Sequence, residues 1–483
     1  MPQPQRRPAG GGSAGGRPPR RYRRPAPDAA RVAAYDVLRA VDERDAYANL
    51  VLPGLLRERN LAGRDAGFAT ELAYGTLRGL GTYDAVLAAC IDRPLAQVDP
   101  PVLDVLRLGA HQLLAMRVPP HAAVSATVEL ARGVLGDGRA KFVNAVLRRV
   151  EARDLPGWLE QVSPAEPLAA LAVARSHPRW VVGALRDALG GARARGGAGA
   201  AQADDPGLDA ELDALLAADN EPAAVSLVAR PGRADVEGLL AAGAEPGRWS
   251  PVAARWSGDP REAPGVTEGR VGVQDEGSQL VALALAAVPV EGADRTWVDL
   301  CAGPGGKAAL LAALAGQRGA RLVAVERQEH RARLVRRAVG ADLPAVVVTA
   351  DGTAPPVAPG TADRVLVDVP CTGLGALRRR PEARWRRTPQ DVAALAPLQR
   401  ALLGAALDLV RPGGVVAYVT CSPHLAETGV VVDDVLRRRP DVERIDARPF
   451  LPGVPALGAG PDVQLWPHVH GTDAMHLTLL RRS

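Results

Sequence analysis

Lysine is almost missing from this 483-residue sequence: of 59 basic residues, only Lys141 and Lys307 are lysine. A composition drifted toward Arg and Ala explains the shortage, and it makes each surviving lysine conspicuous. Cysteine is scarce too. Cys90, Cys301, Cys371 and Cys421 stand far apart, with no CxxC pair. That argues against a disulfide framework and for a reducing cytoplasm, where cysteines are free, structural or catalytic. No apolar run reaches the ~18 residues that suggest a membrane span. The longest candidate, Leu280 to Val290, is shorter and lies in a helical pattern, so no membrane partner is expected. The Arg- and Pro-rich start has no apolar stretch behind it, so no signal peptide is expected. A fixed repeat period is absent, which removes solenoid and collagen architectures.

What is present suits a globular protein. Hydrophobic residues make up 47% and charged residues 23%, enough core material for two to four domains. The formal charge of +5 is uneven. Residues 1–27 hold seven Arg and no acid, the composition of a disordered basic arm. The remainder of the chain is slightly acidic.

Residues 28–155 predict an all-helical domain. Ala34, Val37, Leu38 and Val41 follow helical spacing, as do Leu103, Leu106, Ala110 and Leu113, and Val124, Val128, Ala131 and Val134. Pro100-Pro101 and Pro119-Pro120 mark helix starts. Its last helix carries Arg139, Lys141, Arg148 and Arg149, a candidate phosphate grip. The domain as a whole is nearly neutral, so its charge alone does not drive affinity for nucleic acid. Residues 165–285 predict a small α/β subdomain, with a flexible Gly- and Ala-rich insertion at 190–208. Over 286–483, strand-like runs alternate with helical ones. The strands are Trp297 to Leu300, Leu322 to Val325, Ala345 to Val348, Arg364 to Val369 and Val415 to Val419. The fold class is α/β, and this alternation predicts a Rossmann-like, doubly wound parallel sheet.

Ligands of such sheets bind beyond the carboxyl ends of the strands. The first strand runs into Cys301-Ala302-Gly303-Pro304-Gly305-Gly306-Lys307, which is neither a Walker loop nor GxGxxG. Glycines let the backbone approach a ligand, and the following helix offers free N–H donors. Glu326 ends the second strand, placed for ribose hydroxyls. Asp351 follows the third, placed for an adenine edge. A glycine-rich turn and two acids in this order fit S-adenosylmethionine. Strand four leads into Asp368-Val369-Pro370-Cys371, and strand five into Thr420-Cys421-Ser422. A lone Cys is usually a small buried hydrophobe, but two at neighbouring strand ends beside a cofactor site suggest C5 methylation of a pyrimidine. C5 of cytosine is a poor nucleophile until a thiolate adds at C6. Asp368 can then hold N3 as charge develops.

These motifs carry a resemblance. DLCAGPGGK, DVPCTGLGALRRRPEARW and VTCSPHLAETG resemble the RNA cytosine-5 methyltransferases of the Nol1/Nop2/Sun family. The resemblance implies that Cys421 is the nucleophile, that Cys371 assists proton removal and product release, and that Asp368 contacts the base. It implies that Cys301 to Lys307, Glu326, Asp351 and Asp368 bind S-adenosylmethionine, with Lys307 facing the reacting centre. Ala123 to Ala131 and Lys141 to Arg149 resemble the NusB antitermination domain, an RNA-binding helical fold. The combination is similar to the bacterial branch of the family that acts on 16S rRNA. It covers about residues 28 to 480. Gly303 and Val369 stand where Ala is usual, and Met475-His476 where aromatics are common.

RNA contact is expected from Arg378, Arg379, Arg380, Arg384 and Arg387, with Arg386 and Trp385 among them, beside the Cys371 loop. The target cytosine must be unpaired or flipped to reach a thiol. His468 and His470 form an HxH pair without further ligands, so no metal is expected. A monomer is expected. Two other readings stand: an enzyme of the same chemistry acting on tRNA, and a catalytically idle RNA-binding factor, which the intact cysteine pair disfavours.

Overall fold

The computed structural model describes residues 27–195 and 205–483. The basic arm, apart from Pro27, and the centre of the 190–208 insertion lie outside them.

The N-terminal part is helical. It comprises α1 (Ala29–Arg44), α2 (Ala48–Glu58), α3 (Gly63–Arg78), α4 (Leu80–Cys90), α5 (Pro100–Leu114), α6 (Pro120–Leu135) and α7 (Asp137–Val150). Local chemistry sets the boundaries. The Asp28 side chain caps α1 by accepting from Arg31 N at 2.9 Å. Pro100 and Pro120 occupy first-turn positions of α5 and α6, where a missing N–H costs nothing. Gly136, at φ +91°, breaks α6 from α7. The apolar stripes of these helices meet around Leu72, Leu87, Leu106, Leu108, Leu130 and Leu147, all fully buried. Each such Leu contributes about 1.5–3 kcal/mol by leaving water.

Helices continue further than the sequence pattern implies. After α8 (Leu155–Val162) come α9 (Pro167–Ala174), α10 (Arg179–Arg195) and α11 (Pro206–Ala218). The first half of the expected α/β subdomain is therefore helical. The insertion is also shorter than expected, because Arg195 still belongs to α10 and Pro206 already opens α11. A four-stranded antiparallel sheet follows: β1 (Val225–Ala229), β2 (Glu245–Pro246), β3 (Ala253–Trp256) and β4 (Val271–Val273), ordered β2-β3-β1-β4, with α12 (Val236–Ala241) against it.

Next, α13 (Glu276–Ala287) packs with the C-terminal sheet and also bridges to the small one, its Gln279 Nε2 donating to Leu227 O of β1 at 3.2 Å. That sheet uses β5 (Thr296–Asp299), β6 (Arg321–Glu326), β7 (Ala345–Thr349), β8 (Ala362–Asp368), β9 (Val410–Thr420), β10 (Val442–Ile445), β11 (Val463–Gln464) and β12 (His476–Arg482). Its order is β10-β12-β9-β8-β5-β6-β7, with β11 paired to β12. The five strands read from sequence are parallel, with Val298 beside both Val323 and Val365. The sheet is nonetheless mixed, since β12 runs antiparallel to β9 and β10 antiparallel to β12.

Helices cover both faces. On one, α13, α14 (Gly306–Gln317) and α15 (Glu329–Val339) bury Leu280, Leu310 and Val335. On the other, α17 (Pro389–Leu409) and α18 (Gly429–Leu436) bury Leu402, Leu403, Leu407 and Val432. Two short helices, α16 (Ala383–Arg386) and α19 (Pro467–His470), lie in the loops. Among described helices, Pro389–Leu409 has the length and composition to cross a membrane. Its apolar side packs on the sheet. The layer changes between β5 and β8, the crevice where such sheets bind ligands.

Candidate active site

One cavity of about 610 Å³ opens at that crevice. Its floor is the strand-end loop Cys301 to Lys307, joined by Glu326, Asp351, Asp368, Cys371 and Cys421. Apart from Gly305, which turns the loop from behind, every cofactor and catalytic candidate read from sequence lines this one space.

The loop is shaped by buried carboxylates. Glu326, 5% exposed, accepts from Gly303 N at 3.1 Å and from Gln328 N at 2.9 Å. A Cβ at Gly303 would lie 2.2 Å from Glu326 Oε2, so alanine there would displace the carboxylate. Gly305 sits at φ +116°, and a Cβ would meet Ala338 Cβ at 2.7 Å, so glycine lets α14 start against α15. Asp351 is half-exposed and accepts from Thr353 N at 2.9 Å. Sequence reasoning misses Asp299. Its Oδ1 accepts from Cys301 N at 3.2 Å, while Oδ2 is buried with no hydrogen-bond partner. Burial, then the neighbouring Asp368 charge, pushes this carboxyl up to about 7. An unmatched buried acceptor beside a glycine cradle fits a ligand carrying an ammonium group.

Lys307 Nζ donates to Asp368 Oδ2 at 2.8 Å. Burial acts against the lysine charge, but the Asp368 carboxylate more than offsets it, and Lys307 stays above the ordinary lysine value. Cys371 Sγ and Cys421 Sγ lie 3.4 Å apart. The hydrogen bond from Cys371 lowers Cys421 below the ordinary thiol value against the effect of burial, and Lys307 adds to the lowering. The same hydrogen bond and burial raise Cys371 well above it. The two thiols are therefore inequivalent, and Cys421 is the better thiolate.

A buried polar net, not read from the sequence, holds the two loops together. Glu427, fully buried, accepts from Thr372 N at 2.8 Å, from Thr372 Oγ1 and from Gln399 Nε2 at 3.2 Å. Thr372 Oγ1 meets Ser422 Oγ at 3.2 Å. These bonds tie the residue after Cys371 to the residue after Cys421. Beside them, Arg379 pairs with buried Asp473. Asp473 N donates to Asp275 Oδ1 at 3.1 Å. Burial, then the Asp473 charge, pushes Asp275 up to about 6.

The arginine segment differs from expectation. Arg384 has no exposed surface, and its guanidinium donates to Ser176 O at 3.0 Å, Asn220 Oδ1 at 2.7 Å and Asp219 O at 3.2 Å. It is a buried cross-link between α16 and the loops flanking α10 and α11, not an RNA contact. Arg386 donates to Val41 O, Asp45 O and Ala46 O at the end of α1. Arg378 donates to Gly471 O, and Arg387 Nε to Thr372 O at 3.2 Å. Arg384 and Arg386 thus tie the helical part to the catalytic loop, while Arg378, Arg379 and Arg387 bond within the catalytic domain. The reason lies in the facing surface, which presents the carbonyl ends of helices. Arg379, Arg380 and Arg387 line the cavity.

Other candidates take structural places. On α7, Arg139 pairs with Asp99, Arg148 with Glu151 and Arg149 with Asp92, which largely neutralises the expected phosphate grip. His424 Nδ1 accepts from Ala426 N at 3.1 Å and caps a turn. His470 Nδ1 accepts from Trp466 N at 2.9 Å. Cys90 is buried among α4 neighbours, and Cys301 is raised well above the ordinary thiol value, chiefly by burial.

Two family models match the chain: the NusB family over residues 28–152, and 16S rRNA methyltransferase RsmB/F over residues 284–481. Among curated relatives, a Mycobacterium tuberculosis protein with the provisional name methyltransferase MT1451 is 53% identical, over 94% of this chain and 97% of its own. Ribosomal RNA small subunit methyltransferase B of Pseudomonas putida is 32% identical, over 86% and 91%. The fold is similar to the crystal structure of PH0851, with a TM-score of 0.75, 20% identity, and coverage of 94% of this chain and 98% of that one.

Proposed function

Because the chain belongs to the RsmB/F family of S-adenosylmethionine-dependent 16S rRNA methyltransferases, with a NusB domain ahead of the catalytic one, we propose that it methylates C5 of a cytosine through a covalent Cys421–C6 adduct. The observation that carries this reading is the inequivalent thiol pair at the ends of adjacent strands.

S-adenosylmethionine, when bound, supplies an electrophilic methyl group. The loop Cys301 to Lys307, Glu326 and Asp351 would hold it, with Asp299 Oδ2 as a free acceptor. Cys421 Sγ adds to C6 of the cytosine, and the displaced π electrons make C5 nucleophilic. Asp368, held in place by Lys307, faces the polar edge of the base and orients it. C5 takes the methyl as the methyl–sulfonium bond breaks, leaving a neutral thioether; the C5 proton then passes to a base, the C5–C6 double bond re-forms and Cys421 Sγ departs as thiolate. Cys371, beside Cys421, assists that proton removal once its own thiol proton has passed to solvent and its sulfur is free to accept. The Glu427 net keeps both loops in register while the adduct exists.

Bisulfite sequencing of rRNA and tRNA from a deletion strain tests the reading. Loss of one 16S rRNA cytosine signal, restored by the wild-type gene but not by Cys421→Ala, is the expected result. Loss confined to tRNA would move the substrate to tRNA. Unchanged signals in both would reject cytosine methylation.

A further inference from the structure

Among the described residues, the helical part reaches into the catalytic cavity at one aromatic residue. Tyr47, in the turn between α1 and α2, lines the same cavity as Cys371 and Cys421. The guanidinium of Arg380 lies 4.7 Å from the centre of its ring, a cation–π contact. Neighbouring bonds fix this junction. Ala48 N donates to Glu382 Oε1 at 3.2 Å, and Arg386 anchors to the carbonyls of Val41, Asp45 and Ala46. Tyr47 is thereby held against the segment that follows the Cys371 loop.

Arg380 differs from the arginines around it. Arg378, Arg379, Arg384, Arg386 and Arg387 each donate to a protein acceptor. Arg380 is exposed and lines the cavity, and among the described residues its guanidinium has no carboxylate or carbonyl partner. Its N–H donors are left for a ligand, and its position is set by a ring from another part of the chain. An oriented guanidinium binds phosphate bidentately.

We propose that Tyr47 and Arg380 form a phosphodiester subsite for the RNA backbone next to the target nucleotide, with Arg380 making the contact and Tyr47 acting as its positioning residue. This rests on the reading of the cavity as the place where RNA meets Cys421. It makes the catalytic site incomplete without the helical part, which supplies the ring that orients the cation.

The test is the salt dependence of binding to in-vitro transcribed 16S rRNA by the full-length protein. Removing one cation that neutralises a phosphate lowers the slope of log K against log salt by roughly 0.7 for single-stranded RNA. Arg380→Gln and Tyr47→Leu should each lower it by about that amount, the double variant by no more than either alone, and Tyr47→Phe should restore it. The affinity for S-adenosylmethionine, measured in parallel, should stay within about twofold of wild type. An unchanged slope in Arg380→Gln, at an exposed position that does not endanger folding, overturns the subsite. A lowered slope in Arg380→Gln with additive loss in the double variant overturns the role of Tyr47. Wild-type protein with no salt-dependent binding to the transcript would instead overturn the RNA reading itself, and the subsite with it.

Discussion

Cys371 Sγ stands 3.4 Å from Cys421 Sγ, and their hydrogen bond splits two chemically identical thiols into a low and a high member. The contact itself is symmetric, and the surrounding charges choose between the sulfurs: Lys307 favours the thiolate at Cys421, and Glu427 opposes one at Cys371. One sulfur accepts and is stabilised as thiolate, while the other donates and keeps its proton. Lys307, held by Asp368, lies on the side of the acceptor.

Reactivity should follow that split. Iodoacetamide should modify Cys421 before Cys371, Cys301 or Cys90, all of which are raised. The pH limb of Cys421 alkylation should lie below the ordinary thiol value of 9.0. Lys307→Met removes a cation that favours the thiolate, so the limb should move to higher pH. Peptide mapping by mass spectrometry across a pH series reads both effects, and a limb shifted downward would contradict the assignment.

In turnover the two cysteines should separate. Cys421→Ala should abolish methyl transfer while S-adenosylmethionine still binds. Cys371→Ala should leave enzyme trapped on RNA as a denaturation-resistant band. Normal turnover by Cys371→Ala without such a band would remove its part in product release.

Asp299 should make cofactor binding depend on pH. Its carboxyl is raised to about 7, so it is protonated below that pH and ionised above it. A cationic ammonium binds better to the ionised form. Affinity for S-adenosylmethionine should therefore fall as pH drops through about 7. Asp299→Asn should weaken binding at pH 8 by roughly 10- to 100-fold, the worth of a hydrogen bond to a charged group, and flatten that dependence. Calorimetric titration at pH 6 and pH 8 distinguishes these outcomes.

Arg384 should matter for stability and not for RNA. Removing one side of a buried charged network leaves the other unpaired. Arg384→Met should lower stability by about 3 kcal/mol, seen as an earlier urea transition. The salt slope of RNA binding should not change. A lowered slope with unchanged stability would return Arg384 to the RNA surface.

The positions of Glu326 and Asp368 at strand ends, and of Cys421 just after one, are legible without coordinates. Alternation of short β-branched runs with helical ones marks five parallel strands, and chemistry collects where such strands end. The antiparallel β10 and β12 are not legible in the same way, because their neighbours are set by pairing across a long loop. The buried Glu427 net escapes for the same reason, since nothing local distinguishes a buried glutamate from a solvated one.

The arginine segment shows where local reading stops. Six Arg in ten residues state how much charge is present, and nothing about what faces it. By itself the sequence determines the fold class and places the glycine-rich loop and the two thiols at strand ends, because periodicity and residue chemistry are local properties. Only the tertiary structure decides which thiol is acidic, which arginines are buried in carbonyls, and that Tyr47 meets Arg380. Those depend on distances between residues far apart in the chain, and both Coulomb interactions and desolvation are set by such distances.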